Sequence, residues 1–580
     1  MPSVLEKAKS LLAARKYKEL DKVLLQFPKS MHRQRLEINL ARLSAEGAEP
    51  VVLEPVFDEY METCREDVSA NNLLLAANCK LHVKKWFEAS DIANRILSLG
   101  TASVSDDQVL LAYEAILLAA YNLRQFDGAR KAVDKLKSIQ PGKIKWLEWD
   151  IVIANAEDQP GLVLSSWHAL IEKGVPGDLG HTPKVFSSVL RAFLAFDLLT
   201  EAEALITEFR LEEMSEPSVH LALSAFHNFR GDIKRAEATL DSVLEDFPDL
   251  PEAKWNKSLY QLAAGDLEQG WLNYEARWRW DNFSSPMRWF DSPRWSGKED
   301  LNGKHLLVWS EQGVSDQLRF LVLLANLLDE FPKVSITIEI DPRLVSICAK
   351  WYPEATVRPH SVIDSRGRRD FDLFDFNIPS GSLGQIYFNS VEQIQRSKFR
   401  AMGVPVDLKQ RVLGALHERG LKKVIGFSWR SALMTNERAS HYFPVEKFIS
   451  VFDEVPDGVG LLSLQYDIQG SERKFLEQFP NVFVPEVNFL DDIAAHSVYV
   501  GSCDFVVTCR TIVATLAGMH AVPTVSWMKV EDPGLLGQDT YPWFPNRFNI
   551  LTRPGFDKGD LHRRLAAITK KYSASDGFLN

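Results

Sequence analysis

The residues best placed to do chemistry in this 580-residue chain lie just past its middle, at 308–320, VWSEQGVSDQLRF. An apolar run ends in a small-residue loop with two carboxylates, Glu311 and Asp316, set around Gly313 and Ser315. It then turns at once into an amphipathic segment. Such a loop puts backbone N–H groups and an acid at the carboxyl edge of a sheet, where α/β folds place their ligands. No DxD or histidine-rich cluster stands beside it, and the five cysteines show no CxxC spacing. Neither a zinc site nor a disulfide framework is expected.

The elements that must hold this loop are legible around it. After Leu301, LLVWS reads as a strand, 316–328 as a helix and VSITIEI as a strand. A helix from about Pro342, the strand-like ATVRPH and FDLFDFNIP follow. A helical bridge at about 407–420 precedes a second set: KKVIGFSW, VGLLSLQY, NVFVPEV, and the strand, helix and strand of DFVVTCRTIVATLAGMHAVPTVSWM. Short buried strands alternating with helices imply two Rossmann-like lobes, with a cleft between their carboxyl edges.

The first half obeys a different period. From about 5 to 280 the apolar residues recur at helical spacing, and Gly231-Asp232 returns as Gly265-Asp266 thirty-four residues later, the tetratricopeptide period. The two glycines serve tight turns, Ala236 is small where two helices cross, and Pro248 stops one hairpin before the next begins near Pro251. Weaker hairpins are read at 17–28, 86–97, 126–141 and 196–209. A hairpin cannot bury its apolar face alone, so several must stack into a solenoid, with a groove able to hold a protein or peptide. The plainer reading is a helical spacer. Between the halves, 271–295 interleaves Trp271, Trp278, Trp280, Trp289 and Trp295 with four arginines. A rigid interdomain clamp of aromatic area and stacked arginine is expected there.

Bulk numbers narrow the function. A net charge of −11 opposes nucleic-acid binding and attachment to anionic membranes. No run of about 18 apolar residues is present, so no membrane span is expected. The first residues lack the apolar core of a signal peptide, and with so few cysteines the expected location is the cytoplasm.

Five motifs then fall in order: WLNYEARW, LLVWSEQGVSDQLRF, GFSWRSALMTNERASHYFP, VVTCRTIVATLAGMHAVPTVSWM and YPWFPNRF. As a set they resemble bacterial proteins that fuse tetratricopeptide repeats to a GT-B glycosyltransferase domain. That domain is similar to the heptosyltransferase family, and the architecture resembles that of the protein O-GlcNAc transferases and the repeat-containing flagellin glycosyltransferases. The resemblance covers about 230–580 well and the earlier repeats loosely.

It implies roles residue by residue. The family's first loop reads Gly-x-Gly-Asp, matching Gly313, Val314, Ser315 and Asp316, with the aspartate as the base that takes the acceptor proton. Serine replaces the second glycine, which implies a differently shaped loop if positive φ is needed there. The other reading of Asp316 is an N-cap of the following helix, and Glu311 is the alternative base. The donor diphosphate of the family rests on the loop and helix start that match Arg510, Thr511 and Ile512, where an arginine stands in place of a frequent aspartate. Arg430, Ser431, Arg438 and His441 match a loop whose basic residue meets the leaving phosphate, or they are surface charge. From its position after the LLSL strand, and not from the resemblance, Gln465 is a candidate to read the nucleotide base or ribose. Gly518 is expected to end its helix. Such enzymes generally need no metal, and no cofactor beyond the nucleotide-sugar is implied.

The expected organisation is therefore α plus α/β: a helical-repeat domain at 1–283, an aromatic and arginine-rich junction at 284–300, and GT-B lobes at 301–405 (acceptor side) and 406–580 (nucleotide-sugar side). The expected function is glycosyl transfer from a nucleotide-sugar to Ser or Thr of a protein held by the repeats, flagellin by resemblance. An inactive scaffold and a transferase for glycan or lipid-linked acceptors are the alternatives. The nucleotide, the sugar and any homo-oligomer stay open.

Overall fold

The computed structural model describes residues 3–45, 49–64, 69–100, 103–173, 183–360, 374–418, 420–432, 442–529, 532–552 and 556–574. The chain forms two compact units, Met1–Ala192 and Phe193–Asn580. Among its described residues the first has helices and no strand, and is built of pairs such as Ala70–His82 with Trp86–Ser98, Asp106–Asn122 with Phe126–Ile139, and Ile144–Ala156 with Pro160–Glu172.

Of the pairs whose turns lie among the described residues, seven turn on one left-handed residue placed two positions before the second helix. That residue is Arg15, Lys84, Arg124 or Asp158 in the first unit, and Asp197, Gly231 or Gly265 in the second. Among these described turns only the last two use glycine, the residue that takes positive φ without steric cost. The period is therefore visible in sequence only there. Three positions into several of the second helices the residue is small and wholly buried, at Ala89, Ala129, Ala202 and Ala236. A small side chain at that point lets paired helices approach closely.

The second unit continues with Pro217–Phe229, Ile233–Asp246, Pro251–Ala264, Leu267–Tyr274 and the 3-10 turn Glu275–Arg279. Two parallel sheets follow. The first holds β1 (His305–Trp309), β2 (Ser335–Ile340), β3 (Thr356–Pro359) and β4 (Phe376–Pro379) in the order β3-β2-β1-β4. The second holds β5 (Lys423–Ser428), β6 (Val459–Ser463), β7 (Val482–Phe483), β8 (Phe505–Cys509), β9 (Thr524–Lys529) and β10 (Arg547–Thr552) in the order β10-β9-β8-β5-β6-β7. Every residue of β6 and β8 is buried, as continuous apolar runs require when helices cover both faces of a parallel sheet. This is an α plus α/β architecture of helical repeats and two Rossmann-like lobes. Strand order reverses at β1/β4 and at β5/β8, so the loops after β1, β5 and β8 leave their sheets at switch points, where such folds open a crevice.

One apolar core joins the last repeat helices to both lobes, running from Trp255 and Trp271 through Leu306, Val308 and Phe320 to Leu516, Trp543 and Phe544. Trp543, from YPWFPNRF, packs against Trp271, Phe320 and Phe388 at ring separations of 6.5, 5.7 and 4.9 Å. At about 1.5–3 kcal/mol for each large apolar side chain withdrawn from water, this cluster is a main adhesive of the unit. Two glycines fit it sterically. A Cβ on Gly384 would lie 2.4 Å from the Trp271 ring, and one on Gly518 would lie 2.3 Å from Phe544. Gly518 therefore does not end its helix as expected; Ile512–Met519 runs past it, and the left-handed residue is Ala521.

The clamp has an electrostatic centre. Arg277 is fully buried and donates to Glu311 Oε2 from Nε (3.2 Å) and Nη2 (3.0 Å), to Glu275 Oε1 (2.9 Å) and to Ser382 Oγ (3.0 Å). Arg294 joins through Glu275 and Ser382, each at 2.9 Å. Trp271 donates to the Phe388 carbonyl at 2.8 Å, whereas Trp289 stands exposed. A buried arginine with all these acceptors stays charged and fixes its partners' geometry.

Candidate active site

The loop of VWSEQGVSDQLRF leaves β1 and starts the helix Val314–Leu321. The left-handed residue is Gln312 (φ +64°), and Ser315 lies inside the helix. Serine in place of the second glycine thus needs no special backbone. Gly313 is the N-cap with no side-chain cap bond, and Asp316 sits in the first turn paired to Arg319 at 2.8 Å. The N-cap reading of Asp316 does not hold.

Gly313, Ser315, Asp316 and Arg319 line a cavity of about 520 Å³ between the lobes, which also takes Ser431, Tyr466, Cys509, Arg510, Thr511, Ile512, Asp532, Tyr541 and Arg547. The lobes meet beside it through Ser315 and Thr515, hydroxyl to hydroxyl at 2.6 Å. Four arginines (319, 343, 510 and 547) and two aspartates (316 and 532) line it, a formal charge of +2 within an acidic chain. Arg510 pairs with Asp532, whose other oxygen accepts from the Gly534 N–H at 2.8 Å. Arg343 is held by Asp341 at 2.9 Å. Arg547 stacks on Tyr541 with its guanidinium 4.0 Å from the ring centre. Nε of Arg319 and Nη2 of Arg547 are buried with no hydrogen-bond partner among the described residues. Buried donors left unpaired are costly and suit an anion entering from the cavity. Thr511 precedes the helix Ile512–Met519 in extended backbone with no side-chain cap bond, and Thr511 and Ile512 at this helix start both line the cavity.

Several expected residues fall elsewhere. Glu311 does not line the cavity; it is buried on Arg277, and burial pushes its carboxyl upward while Arg277 pulls it back. It is a structural group rather than an alternative base. Arg430 is taken up by Glu472 at 2.7 and 2.9 Å and by Asp467 at 3.3 Å, so it is no open phosphate ligand. Gln465 is also engaged: Oε1 accepts from Ser428 Oγ (3.1 Å) and the Trp429 N–H (3.3 Å), and Nε2 donates to the Arg430 carbonyl (3.0 Å). It borders a second cavity of about 580 Å³ past β6 and β7, which shares Tyr466, Phe489 and Leu490 with the first. Arg438 and His441 lie outside the described residues. Burial pushes the Cys509 thiol up to about 12, too high for a nucleophile at neutral pH. Among the described residues no group of three or more His, Cys, Asp or Glu is arranged to hold a metal ion.

Sequence reasoning missed Arg319, Asp532, Tyr541 and Arg547. Arg319 had a local signal, three residues after Asp316 on one helix. Tyr541 and Arg547 lie in YPWFPNRF, a motif that was given no site role, and Asp532, in the segment after β9, is marked by no motif.

No family model matches the chain. The protein FlbA of Caulobacter vibrioides is 25% identical over 335 residues, 54% of this chain and 55% of FlbA, so the chain spans about half of that relative's length. Among solved structures, ADP-heptose LPS heptosyltransferase II of E. coli aligns at 12% identity over 46% of this chain and 98% of its own, with a TM-score of 0.35. A Thermobaculum terrenum O-GlcNAc transferase mutant aligns at 13% identity over 82% and 95%, TM-score 0.30. YrrB, a tetratricopeptide-repeat protein with a peptide-binding site, aligns at 15% over 35% and 97%, TM-score 0.25. No helix among the described residues is long and apolar enough to cross a membrane.

Proposed function

We propose that the chain is a glycosyltransferase that moves a sugar from a nucleotide-sugar to a hydroxyl of a protein acceptor. The observation that carries this reading is a single cavity in which Asp316 faces a helix start and arginines carrying unpaired buried donors. Asp316 takes the acceptor proton as the hydroxyl oxygen bonds to the anomeric carbon. The bond from that carbon to the phosphate oxygen breaks, and the phosphate leaves with the electron pair. Its charge is met by Arg319, Arg510, Arg547 and the N–H groups after Thr511. The neighbouring cavity at Tyr466 and Phe489 suits the nucleoside. The arginines do the charge work, and the reaction runs without a metal.

The acceptor reading rests on the repeats, whose stacked hairpins suit a polypeptide, and on the motif resemblance, which points to Ser or Thr of flagellin in the cytoplasm. Free cysteines at 79, 348, 503 and 509 agree with that compartment. The test is binding of ADP, GDP, UDP, CDP and CMP by the purified chain, with the intact mass of flagellin from cells carrying the chain or its Asp316→Ala variant. Nucleotide binding, and a sugar-sized mass lost in the variant, is the expected result. Failure to bind any of the five would sink the transferase reading. Binding with an unchanged flagellin mass on deletion of the chain would remove that acceptor.

A further inference from the structure

The loop that carries Asp316 is held from the repeat side, not by its own lobe alone. Gln312 sits in left-handed backbone without being glycine, a conformation uncommon for other residues. Its N–H donates to Ser285 Oγ at 2.7 Å, and its Nε2 donates to the Tyr274 hydroxyl at 2.8 Å. Its carbonyl accepts from Gln317 Nε2 at 3.1 Å, while Gln317 Oε1 accepts from the Asp341 N–H at 3.0 Å. One residue earlier, Glu311 rests on Arg277, and its Oε1 has no hydrogen-bond partner among the described residues. That oxygen lies 1.9 Å from where a Cβ on Gly381 would sit, so the carboxylate is fitted between Arg277 and the end of β4.

Without Arg277 the buried Glu311 carboxylate would lose its hydrogen-bonded counter-charge and keep only Arg294 at longer range, which favours taking a proton or leaving its slot. Either relaxes Gln312 and shifts Gly313, the N-cap that sets where Asp316 stands. We infer that Arg277, with Tyr274 and Ser285, is a positioning residue: the last repeat and the turn after it fix 311–313 so that Asp316 faces the cavity. This rests on the transferase reading above. The repeat segment is then a working part of the site as well as a holder of partners.

The test is hydrogen exchange of the full chain, reading peptides across 308–321 and 505–519, for Ser285→Ala, Arg277→Lys and the charge-neutral pair Arg277→Gln with Glu311→Gln. The neutral pair keeps hydrogen-bonding groups where Arg277→Ala alone would strand a buried charge. Exchange at 312–317 is expected to rise by about tenfold or more in the pair, less in Arg277→Lys, with 505–519 unmoved. UDP-N-acetylglucosamine, GDP-mannose, ADP-glucose and CMP-N-acetylneuraminate are the turnover probes. For any that the unmutated chain turns over, kcat is expected to fall about tenfold or more with KM kept within about twofold. Unchanged exchange at 308–321, an equal rise at 505–519, or unchanged kcat would each overturn the inference. The two readings fail separately. A chain that binds no nucleotide loses the transferase reading while exchange still decides whether Arg277 holds the loop. A chain that binds nucleotide with unmoved exchange loses the positioning role alone.

Discussion

Replacing Arg319 with glutamine tests the cavity at the cation paired with Asp316. The side chain is 11% exposed, pairs with Asp316 at 2.8 Å, and keeps Nε buried without a partner. A hydrogen bond from a charged group contributes about 1.5–3 kcal/mol, so losing the contact to a phosphate weakens binding by about 10- to 150-fold. The same change leaves Asp316 and Asp532 less compensated and takes the cavity's formal charge from +2 to +1, both in the same direction. Arg343→Gln is the control. Its side chain is 42% exposed and already held by Asp341, so about threefold or less is expected. Titration calorimetry with the nucleotide that binds best, at about 50 mM and about 300 mM salt, reads both variants and the loss of salt sensitivity. Because Arg319 also lies over Trp543 at 5.1 Å, unfolding midpoints must accompany the titration, and Arg319→Lys should recover part of the affinity. If Arg319→Gln, still folded, bound within about threefold of the unmutated chain, or lost less than Arg343→Gln, the anion-site reasoning would be wrong.

Two other perturbations address the frame around the site. Gly384→Ala drives a Cβ to 2.4 Å from the ring of Trp271, which is pinned by its 2.8 Å bond to Phe388, so a loss of about 1–3 kcal/mol in urea unfolding is expected. Gly414→Ala, in the helix Val406–His417 with open space around it, is expected instead to stabilise by up to about 1 kcal/mol; equal effects would refute the packing account. His496 is buried and His520 partly buried, both as neutral rings, with loss of water contact pulling the pKa of His520 down to about 4 and that of His496 down to about 3. The unfolded chain takes these protons near 6.5 and the folded chain does not, so stability falls as pH drops below about 6.5 and is indifferent to rising pH. From about pH 7 to about pH 5.5 the loss is about 1.3 kcal/mol per histidine. His520→Gln should remove that share from the pH dependence of the unfolding midpoint, and an unaltered slope would contradict it.

Much of this was present in the order of residues, and the reason is local. Apolar spacing set the helical hairpins, and continuous apolar runs set β1, β2, β5, β6, β8 and β9, because period and burial are properties of neighbouring residues. The loop after β1 and the helix start at Thr511 were readable as strand-to-helix turns, and strand order then placed both at switch points. The early repeats were fainter because their turns use Arg15, Lys84, Arg124 and Asp158 at the left-handed position, where a glycine would have been recognised. β10 went unread because nothing in its own residues tells where it pairs.

What tertiary structure alone decided was which charges meet. Arg430 followed a strand as a phosphate ligand should, yet Glu472, 42 residues on, claimed it; Glu311 stood beside Asp316 in the same loop, yet Arg277 drew it into the core. Arg547 and Asp532 entered the cavity from β10 and the segment before it, and Ser315 met Thr515 across a separation of 200 residues. A sequence specifies its periodicities within a few residues of each position, but a guanidinium's partner depends on which strand end folding sets against another, and that is fixed only when the lobes and the last repeat close around one core.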